Sequence, residues 1–322
     1  MNWRKRNSTN ARICPAIFVM WLRGSIALPL IILCGLLTSP ASAKSPAAQL
    51  RATLAAQGYE SVVLRRTGQN HWFVFGQVEG QRRSCLIDTG WAYTSISRSL
   101  APRLTSTNQI EQLKVGDLVL SRVPVRMVDL QINGQSTGYA VVLGCDFLLA
   151  HQALMDFRNA RLYLRRPPSS GAQNRALAEA LSATGRTAVA VQLQHPPALT
   201  AVATIREINT QLLIDSGAMW SCLDSEFARR AKLSSARSIQ RIFGPGASGQ
   251  RSFAVADLAS WSLGTVPMKG CSAAVLDLSD WGLGVRAKLF PSVEGILGGS
   301  ELLTTEAWLD CGQLKLWLKS SP

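Results

Sequence analysis

Two short stretches of this sequence place a carboxylate, a hydroxyl and a glycine side by side, each directly after an apolar run. They are Asp88-Thr89-Gly90 and, in the second half of the chain, Asp215-Ser216-Gly217. Each pattern predicts a buried strand that ends in a tight turn carrying the aspartate. A carboxylate in apolar surroundings resists ionisation, so two that face each other would share one proton. Such a pair can act as acid and base on the same water molecule.

The two motifs belong to longer matched patterns. Gly58 stands as far before Asp88 as Gly185 stands before Asp215. Further along, Leu143-Gly144 matches Leu297-Gly298, and each of these glycines is followed by an aspartate at the same spacing. Those later aspartates, Asp156 and Asp310, are interpreted as hairpin turn residues rather than catalysts. The equal spacings predict an internal duplication.

The elements that must position the aspartates are predicted to be short strands. Strand-like runs at 71–78 and 82–87, joined by Glu79-Gly80, predict a hairpin that leads into Asp88. An apolar strand is expected to end at Gly144 and to be followed by a helix. Helical patterns are predicted at 47–57 and 99–104, and a pair of short strands is predicted around Gly116-Asp117.

The two copies differ in length between the aspartate and the downstream glycine. The interval from Asp215 to Gly298 in the second copy is much longer than that from Asp88 to Gly144 in the first. Much of the excess includes the glycine-rich stretch 242–250, which predicts a mobile hairpin tip. The rest of the excess falls near 281–290. In the first copy, residues 105–113 are expected to replace the long hairpin.

Together these motifs resemble the retropepsin and pepsin class of aspartic proteases, over roughly residues 50–318. Thr94, Ile96 and the run Gly144-Cys145-Asp146-Phe147-Leu148 also match the retropepsin pattern. By pattern, the chain is most similar to bacterial retroviral-type proteases, here fused in tandem. The resemblance implies an all-β fold with two retropepsin-like, acid-protease β-barrel lobes related by a pseudo-twofold axis.

The resemblance also implies a role for each matched residue. Asp88 and Asp215 would form one catalytic dyad that activates water to hydrolyse a peptide bond, and Thr89 and Ser216 would brace the two turns. Four glycines would support the dyad: Gly90, Gly217, Gly144 and Gly298. The predicted flap over the substrate comprises Phe243, Gly244, Pro245 and Gly246, with Phe243 or Phe253 as its apolar contact.

Some features depart from the family pattern and leave alternatives open. Trp91 occupies a position that is usually small, so it either narrows the cleft or repacks the turn, and Trp220 adds an indole near the other turn; both are also interpretable as core aromatics. One alternative is a catalytically silent peptide-binding protein with the same fold. Another is a homodimer with dyads formed between chains. A monomer whose two halves form the dyad is the preferred arrangement, with a peptide or protein as substrate.

Composition excludes several other classes. The chain has 322 residues, of which 47% are apolar and 17% charged, so it is not intrinsically disordered. Its net charge is +14, but five of the basic residues lie in the predicted N-terminal signal, and no nucleic-acid-binding motif accompanies the charge. The glycine-rich stretch is not followed by Gly-Lys-Ser/Thr, so it does not predict a phosphate-binding loop.

The N-terminus has the pattern of a secretory signal. A basic start is followed by the apolar run 26–37 and by Ala41-Ser42-Ala43, which predicts cleavage after Ala43. Met1 and Met20 are both candidate initiators. The predicted organisation is a signal peptide at 1–43, the first repeat at 44–166, a linker at 167–176 and the second repeat with its flap at 177–322. Export to the periplasm or beyond is expected, with a signal anchor as the alternative and no membrane span after cleavage.

Cysteine and histidine usage points to no metal or cofactor. Five cysteines follow the predicted signal, so at most two disulfides can form, and burial as free thiols is an equal expectation. These cysteines are Cys85, Cys145, Cys222, Cys271 and Cys311. The three histidines, His71, His151 and His195, are too scattered to predict a metal site and are expected at the surface or in hairpins.

Overall fold

The strands predicted around the two aspartates are present in the computed structural model. It describes residues 45–319, except for 69, 99–107, 133–134, 137, 167–168, 239–252, 280–281, 285 and 287. All described residues belong to one compact unit, 44–322. The predicted flap residues Phe243, Gly244, Pro245 and Gly246 and the predicted helix at 99–104 lie outside the described residues.

The first half of the described chain is a succession of short strands with two helices. In chain order its elements are α1 (Pro46–Ala56), β1 (Glu60–Val63), β2 (Arg65–Arg66), β3 (Trp72–Val78), β4 (Gln81–Ile87), β5 (Ser95–Ser97), β6 (Gln109–Val115), β7 (Leu118–Pro124), β8 (Arg126–Val128), β9 (Gln131–Ile132), β10 (Gln135–Ser136), β11 (Val141–Leu143), α2 (Cys145–Ala150), β12 (Leu154–Asp156) and β13 (Arg161–Leu164).

The second half has the same character. Its elements are α3 (Gly171–Ser182), β14 (Arg186–Ala190), β15 (Gln192–Gln194), β16 (Ala198–Ile205), β17 (Ile208–Ile214), β18 (Cys222–Asp224), α4 (Ser225–Arg230), β19 (Ser235–Ser238), β20 (Ala254–Leu258), β21 (Trp261–Leu263), β22 (Val266–Met268), β23 (Cys271–Leu276), β24 (Val293–Leu297), α5 (Gly299–Thr304), β25 (Trp308–Asp310) and β26 (Lys315–Lys319).

Each half folds most of its strands into one curled sheet, so the protein is all-β with two β-barrel lobes, and the predicted fold class is confirmed. In lobe 1 the strand order is β7-β6-β3-β4-β11-β5-β8, with β2 beside β3. In lobe 2 it is β19-β20-β23-β18-β24-β17-β16-β21-β22, with β15 beside β16. The order β4-β11-β5-β8 in lobe 1 is repeated as β17-β24-β18-β23 in lobe 2, with the same parallel and antiparallel pairings.

Matched hairpins lead into the two aspartates. The β3–β4 and β16–β17 hairpins each turn through two residues, and their registers place Val78 opposite Gln81 and Ile205 opposite Ile208. Both turns have positive φ angles, which two-residue hairpins require. In lobe 1 Gly80 supplies one of the two positions, whereas in lobe 2 Arg206 and Glu207 both adopt this left-handed backbone.

A third sheet joins the lobes. Its order is β1-β13-β12-β25-β26-β14, so each half contributes three adjacent strands. At its centre β12 pairs antiparallel with β25, with Leu154 opposite Asp310, Met155 opposite Leu309 and Asp156 opposite Trp308. This register is symmetric about the pair Met155 and Leu309, so the pseudo-twofold axis passes between these residues.

Helices α1 and α3 pack together against this six-stranded sheet. Leu50, Leu54, Leu177 and Leu181 are buried with Trp308 and Trp317 in one apolar cluster. Burial of each leucine contributes about 1.5–3 kcal/mol relative to exposure. Helix α3 begins with a capping box formed by Ser170 and Gln173, so residues 171–176 of the predicted linker form the first half of a helix.

Lobe 1 contains more strand than the sequence indicated between Ser97 and Gly116. Strand β6 spans the full range Gln109–Val115 and pairs with both β3 and β7. Residues 109–113 are therefore part of the lobe 1 sheet instead of a short substitute for a flap. The turn at Gly116-Asp117 joins β6 to β7, two strands of equal length. In the described part of the chain, no helix has the length and apolar character of a membrane span.

Candidate active site

The two aspartates lie side by side at the meeting point of the lobes. Ile87 and Ile214, the last residues of β4 and β17, are fully buried. The amide of Asp88 donates to Leu143 O at 3.2 Å and that of Asp215 to Leu297 O at 3.0 Å. Each turn is thus fixed by the parallel strand beside it, which extends its hydrogen-bonded ladder to the aspartate itself.

Thr89 and Ser216 bind the two turns to each other through four reciprocal hydrogen bonds. The Thr89 hydroxyl donates to Ile214 O at 2.7 Å and accepts the Ser216 amide at 2.9 Å. The Ser216 hydroxyl donates to Ile87 O at 2.9 Å and accepts the Thr89 amide at 3.1 Å. Both side chains are fully buried, so the network is shielded from water. Thr89 and Ser216 are the two residues that were predicted to brace the turns.

Gly90 and Gly217 are required by the closeness of the opposite carboxyl group. A Cβ on Gly90 would lie 2.4 Å from Cγ of Asp215, and a Cβ on Gly217 would lie 2.4 Å from Oδ2 of Asp88. No side chain fits in such a space. Each glycine also donates its amide to Oδ1 of its own lobe's aspartate, at 2.9 Å for Asp88 and 2.7 Å for Asp215.

The two carboxyl groups interact directly. Both side chains are partly exposed, and they hydrogen-bond to each other. Burial raises the pKa of Asp88 well above its usual range, and the Asp215 charge and the shared hydrogen bond raise it further. Burial also raises the pKa of Asp215, while the Gly217 amide and the hydrogen bond from Asp88 lower it. One proton shared by an acid and a base is therefore the favoured state.

Gly144 and Gly298 let a second loop pack under each turn. A Cβ on Gly144 would lie 2.7 Å from Trp91 O, and a Cβ on Gly298 would lie 2.4 Å from the backbone carbon of Trp220. The following residues hold the contact, because Cys145 N donates to Trp91 O at 2.7 Å and Gly299 N donates to Ala218 O at 2.8 Å. Gly144 and Gly298 are two of the four glycines that were predicted to support the dyad.

A polar brace behind each turn was not assigned from the sequence. In lobe 1 the carboxylate of Asp146 accepts hydrogen bonds from the amide and hydroxyl of Thr94, both at 2.7 Å. In lobe 2 the hydroxyl of Ser221 donates to Glu301 and accepts from Gly298 N at 3.0 Å. Thr94 follows Asp88 at the same spacing as Ser221 follows Asp215, and this equal spacing could have indicated from the sequence that the two residues have matched roles.

Trp91 is held by its own lobe. Its Nε1 donates to the hydroxyl of Ser95 at 2.9 Å, and that hydroxyl donates to Tyr93 O at 2.9 Å. Trp220 lies next to Phe253, with ring centroids 6.4 Å apart, beside the apolar cluster of lobe 2. Phe253 is 7% exposed, and β19 and β20 pair on either side of residues 239–252.

His71 lies in the turn of the β2–β3 hairpin, within the predicted class of surface or hairpin positions, and the charge of Asp215 in the other lobe acts on it. It is partly buried, and burial lowers its pKa while the charge of Asp215 raises it. The signal in the sequence was its place immediately before the strand that leads to Asp88, but a lone histidine carries no evidence of what it faces across a lobe boundary.

The remaining predicted residues have structural positions. Oδ1 of Asp156 accepts the amide of Asn159 at 3.0 Å and Oδ1 of Asp310 accepts that of Gln313 at 2.9 Å, so both aspartates close hairpin turns. All five described cysteines are free thiols, and only Cys271 is not fully buried. Among the described residues, no three His, Cys, Asp or Glu side chains are grouped so that they could hold a metal ion.

Comparison with known proteins gives one family. Residues 201–300 match the family described as Aspartyl protease. This segment runs from β16 through the Asp215 turn to Gly298, and so contains the site elements of lobe 2. No curated protein matches the chain significantly. The match lies within lobe 2 and supports an aspartyl protease family, a class of hydrolases.

Proposed function

We propose that the chain is an exported aspartic endopeptidase whose catalytic dyad is Asp88 and Asp215. The observation that carries this proposal is the reciprocal network of Thr89 and Ser216, which brings two carboxyl groups into hydrogen-bond contact. Two carboxyl groups so close cannot both ionise, so one is available as a base and the other as an acid.

The chemistry follows from this shared proton. The ionised carboxylate takes a proton from water as the water oxygen bonds to the peptide carbonyl carbon, and the protonated carboxyl group donates to the carbonyl oxygen. The roles then reverse, and the amide nitrogen leaves with a proton. The pair retains one proton only if one of its pKa values lies above the working pH and the other below it. Burial and the repulsion between the two carboxylates separate the two pKa values in this way.

The dyad is proposed to work within one chain. Both aspartates, both bracing hydroxyls and both glycine pairs come from the same polypeptide, and the six-stranded sheet already pairs the two halves. A homodimer would have to separate these contacts to exchange halves. The matched strand orders support an origin by tandem duplication of a retropepsin-like unit. The substrate is proposed to be an extended peptide or protein segment, held by main-chain hydrogen bonds beneath a flap from residues 242–250.

Export is proposed from the N-terminal pattern of the sequence. Cleavage after Ala43 would release a chain that begins immediately before the described fold. All five remaining cysteines are free in the structure, so the fold is complete without a disulfide.

The test is peptide cleavage by purified protein beginning at residue 44, with a diverse peptide library between pH 3 and pH 7. Cleavage is expected to be inhibited by pepstatin and to be lost in both Asp88→Asn and Asp215→Asn. Asp117→Asn, at an exposed turn of lobe 1, is the matched control and should retain full activity. Folded wild-type protein that cleaves nothing would favour the non-catalytic peptide-binding alternative. Cleavage that survives in either active-site variant would overturn the dyad assignment.

A further inference from the structure

The two carboxyl groups of the dyad have different neighbours. His71, just before β3, interacts electrostatically with Asp215 of the other lobe. The interval from His71 to Asp88 equals the interval from Ala198 to Asp215. Ala198 is a buried residue at the start of β16. The registers of β3–β4 and β16–β17 match, so these two residues are structural counterparts. Of the two aspartates, Asp215 is the one whose pKa the charge of His71 lowers.

His71 is held in place by a turn that crosses the lobe boundary. Thr67 N donates to His71 O at 3.0 Å, and His71 N donates to the Thr67 hydroxyl at 3.2 Å. Asn70 Nδ2 reaches Met219 O at 3.5 Å, and Asn70 O lies 3.3 Å from where a Cβ on Gly299 would be. This turn of lobe 1 thus packs on the loop that follows Asp215.

The backbone amides also stabilise the two carboxylates to different degrees. Oδ1 of Asp215 accepts two amides, those of Gly217 at 2.7 Å and Ala218 at 3.0 Å. Oδ1 of Asp88 accepts the Gly90 amide at 2.9 Å. The Trp91 amide also lowers the pKa of Asp88, but it has the smallest effect there; like the Ala218 amide, it lies 3.3 Å from the main-chain carbonyl of its aspartate. Donors aimed at a carboxylate stabilise its ionised form. Two independent features therefore favour negative charge on Asp215.

We propose that His71 is a positioning residue that keeps the negative charge on Asp215 and so leaves the shared proton on Asp88. The proposal rests on the proposed protease function. Asp215 then takes the proton from water, and Asp88 gives its proton to the carbonyl oxygen. When the intermediate collapses, Asp215 returns its proton to the leaving nitrogen and Asp88 takes one from the intermediate, which restores the starting state.

The effect of His71 depends on pH. Besides Asp215, which shares its proton with Asp88, the titratable side chain beside His71 is Tyr139, whose ring centroid lies 6.4 Å away. The tyrosine is neutral throughout the acidic range, because burial raises its pKa. His71 becomes a cation only as the pH falls below neutral, and there it opposes protonation of Asp215. It should therefore extend the working range of the base toward acid and leave the alkaline limit, set by loss of the Asp88 proton, unchanged.

The first experiment measures the contact without any substrate. The pKa of His71 is followed by NMR in wild-type protein and in Asp215→Asn, with His195 as an internal reference and His71→Gln to assign the signal. Removal of the Asp215 charge should lower the pKa of His71 and leave that of His195 unchanged. An identical His71 titration in both proteins would overturn the proposal.

The second experiment uses the pH profile of kcat/KM for a cleaved peptide. In His71→Gln the acidic limb should move to higher pH, so that activity on the acidic side falls about threefold to tenfold, while the alkaline limb stays in place. His195→Gln should match wild type. A uniform loss at every pH, in both His71→Gln and His71→Ala, would show a merely structural role and overturn the proposal. Absence of cleavage by the wild type would instead remove the proposed function, and the NMR result would still decide whether His71 and Asp215 interact.

Discussion

The two lobes share one strand order but differ in what covers the sheet face beside the dyad. In lobe 2 that face is filled by an apolar cluster, which includes Ala198, Leu213, Phe253, Leu278 and Leu283. In lobe 1 the corresponding region carries His71, Phe73 and Tyr139, which are all partly exposed. Their rings form a row, with Phe73 and Tyr139 at 6.1 Å and His71 and Tyr139 at 6.4 Å.

The difference shows that two lobes with the same strand pairing can carry different side chains on the face of the sheet. Parallel strands, reciprocal hydroxyls and glycines are the same in both lobes, because they set the geometry of the two carboxyl groups. The residues that lobe 2 has in excess, around 277–290, supply part of its apolar cover. Lobe 1 has no such segment in the described chain, and its open aromatic row lies beside the dyad. The symmetric features should therefore respond equally to mutation in the two lobes, and the unsymmetric ones should not.

The largest symmetric effect is expected at the glycines of the two turns. In Gly90→Ala and Gly217→Ala the new Cβ would lie 2.4 Å from the opposite carboxyl group, so the dyad must shift. A displacement of about 1 Å at a reacting group costs on the order of 100-fold in rate, and kcat/KM should fall at least this far in both variants. Gly171→Ala, where the new Cβ would meet only Arg175 Nη1 at 3.7 Å, is the control. Full activity in either active-site variant would contradict the packing.

The second symmetric effect is expected in the stability of the interlobe network. Thr89→Val leaves the Ile214 carbonyl and the Ser216 amide without a partner, and Ser216→Ala does the same to Ile87 and Thr89. Because each buried group left unsatisfied costs about 1–3 kcal/mol, both variants should lose about 2–4 kcal/mol in urea unfolding. Thr204→Val, which removes a hydroxyl on an exposed part of β16, should cost less than about 1 kcal/mol. A large cost in only one lobe would show that the network is not reciprocal.

A smaller effect that differs between the halves is expected at the matched hairpin aspartates, Asp156 and Asp310. Burial raises the pKa of Asp310 to about 6. An unfolded chain releases this proton at lower pH than the folded one, so the folded state is destabilised as the pH rises from about 4 to about 6. Asp310→Asn should therefore stabilise the protein at pH 7 by about 2 kcal/mol and change little at pH 3.

Asp156→Asn should gain less than its counterpart. Burial raises the pKa of Asp156 too, but less than that of Asp310. At both aspartates, hydrogen bonds within the turn and a nearby cation, Arg186 or Lys315, oppose the shift. Thermal unfolding of both variants across pH 3–7 measures the difference. Equal gains, or a gain that appears only at low pH, would contradict this account of the two carboxylates.

The smallest effect is expected at the least symmetric position. Trp91 and Ala218 each follow their glycine, and Trp91→Ala makes lobe 1 resemble lobe 2. Because the indole is tied to Ser95 in its own lobe, its removal should cost about 1 kcal/mol of stability through one hydrogen bond and partial burial. Activity should remain within a few-fold of wild type, measured as kcat and KM on one peptide. A loss on the order of 100-fold would show that the indole contributes directly to the dyad.

The features that could be predicted from the sequence are those that depend on neighbouring residues in the chain. Apolar runs ending at Asp88 and Asp215 predicted both strands and both turns, and the spacing to Gly144 and Gly298 predicted a matched pair. The all-β class with two barrel lobes followed from these motifs through the family they resemble, and the structure confirms it. The reciprocal role of Thr89 and Ser216 was also implied by that resemblance.

Other features depend on contacts between distant parts of the chain. Nothing local to His71 shows that its turn packs on the loop after Asp215, because this contact is made only when the lobes meet. The partners Thr94 and Asp146, like Ser221 and Glu301, are joined across a long stretch of sequence. The full length of strand β6 was not predicted, because the polar residues at 109, 111 and 112 obscure its apolar face. Ile110 and Leu113 on that face contact the lobe 1 core.

The six-stranded sheet has a consequence for how the chain can be divided. Each half supplies three neighbouring strands, and within this sheet no strand of one half is inserted between two of the other. The polypeptide passes from one half to the other once, between β13 and α3. A break in the backbone at that connection would leave every strand pairing of the described fold in place. The two halves should then behave as complementary fragments that reassemble across Met155 and Leu309, so the molecule can be converted into a heterodimer without redesign of its interface.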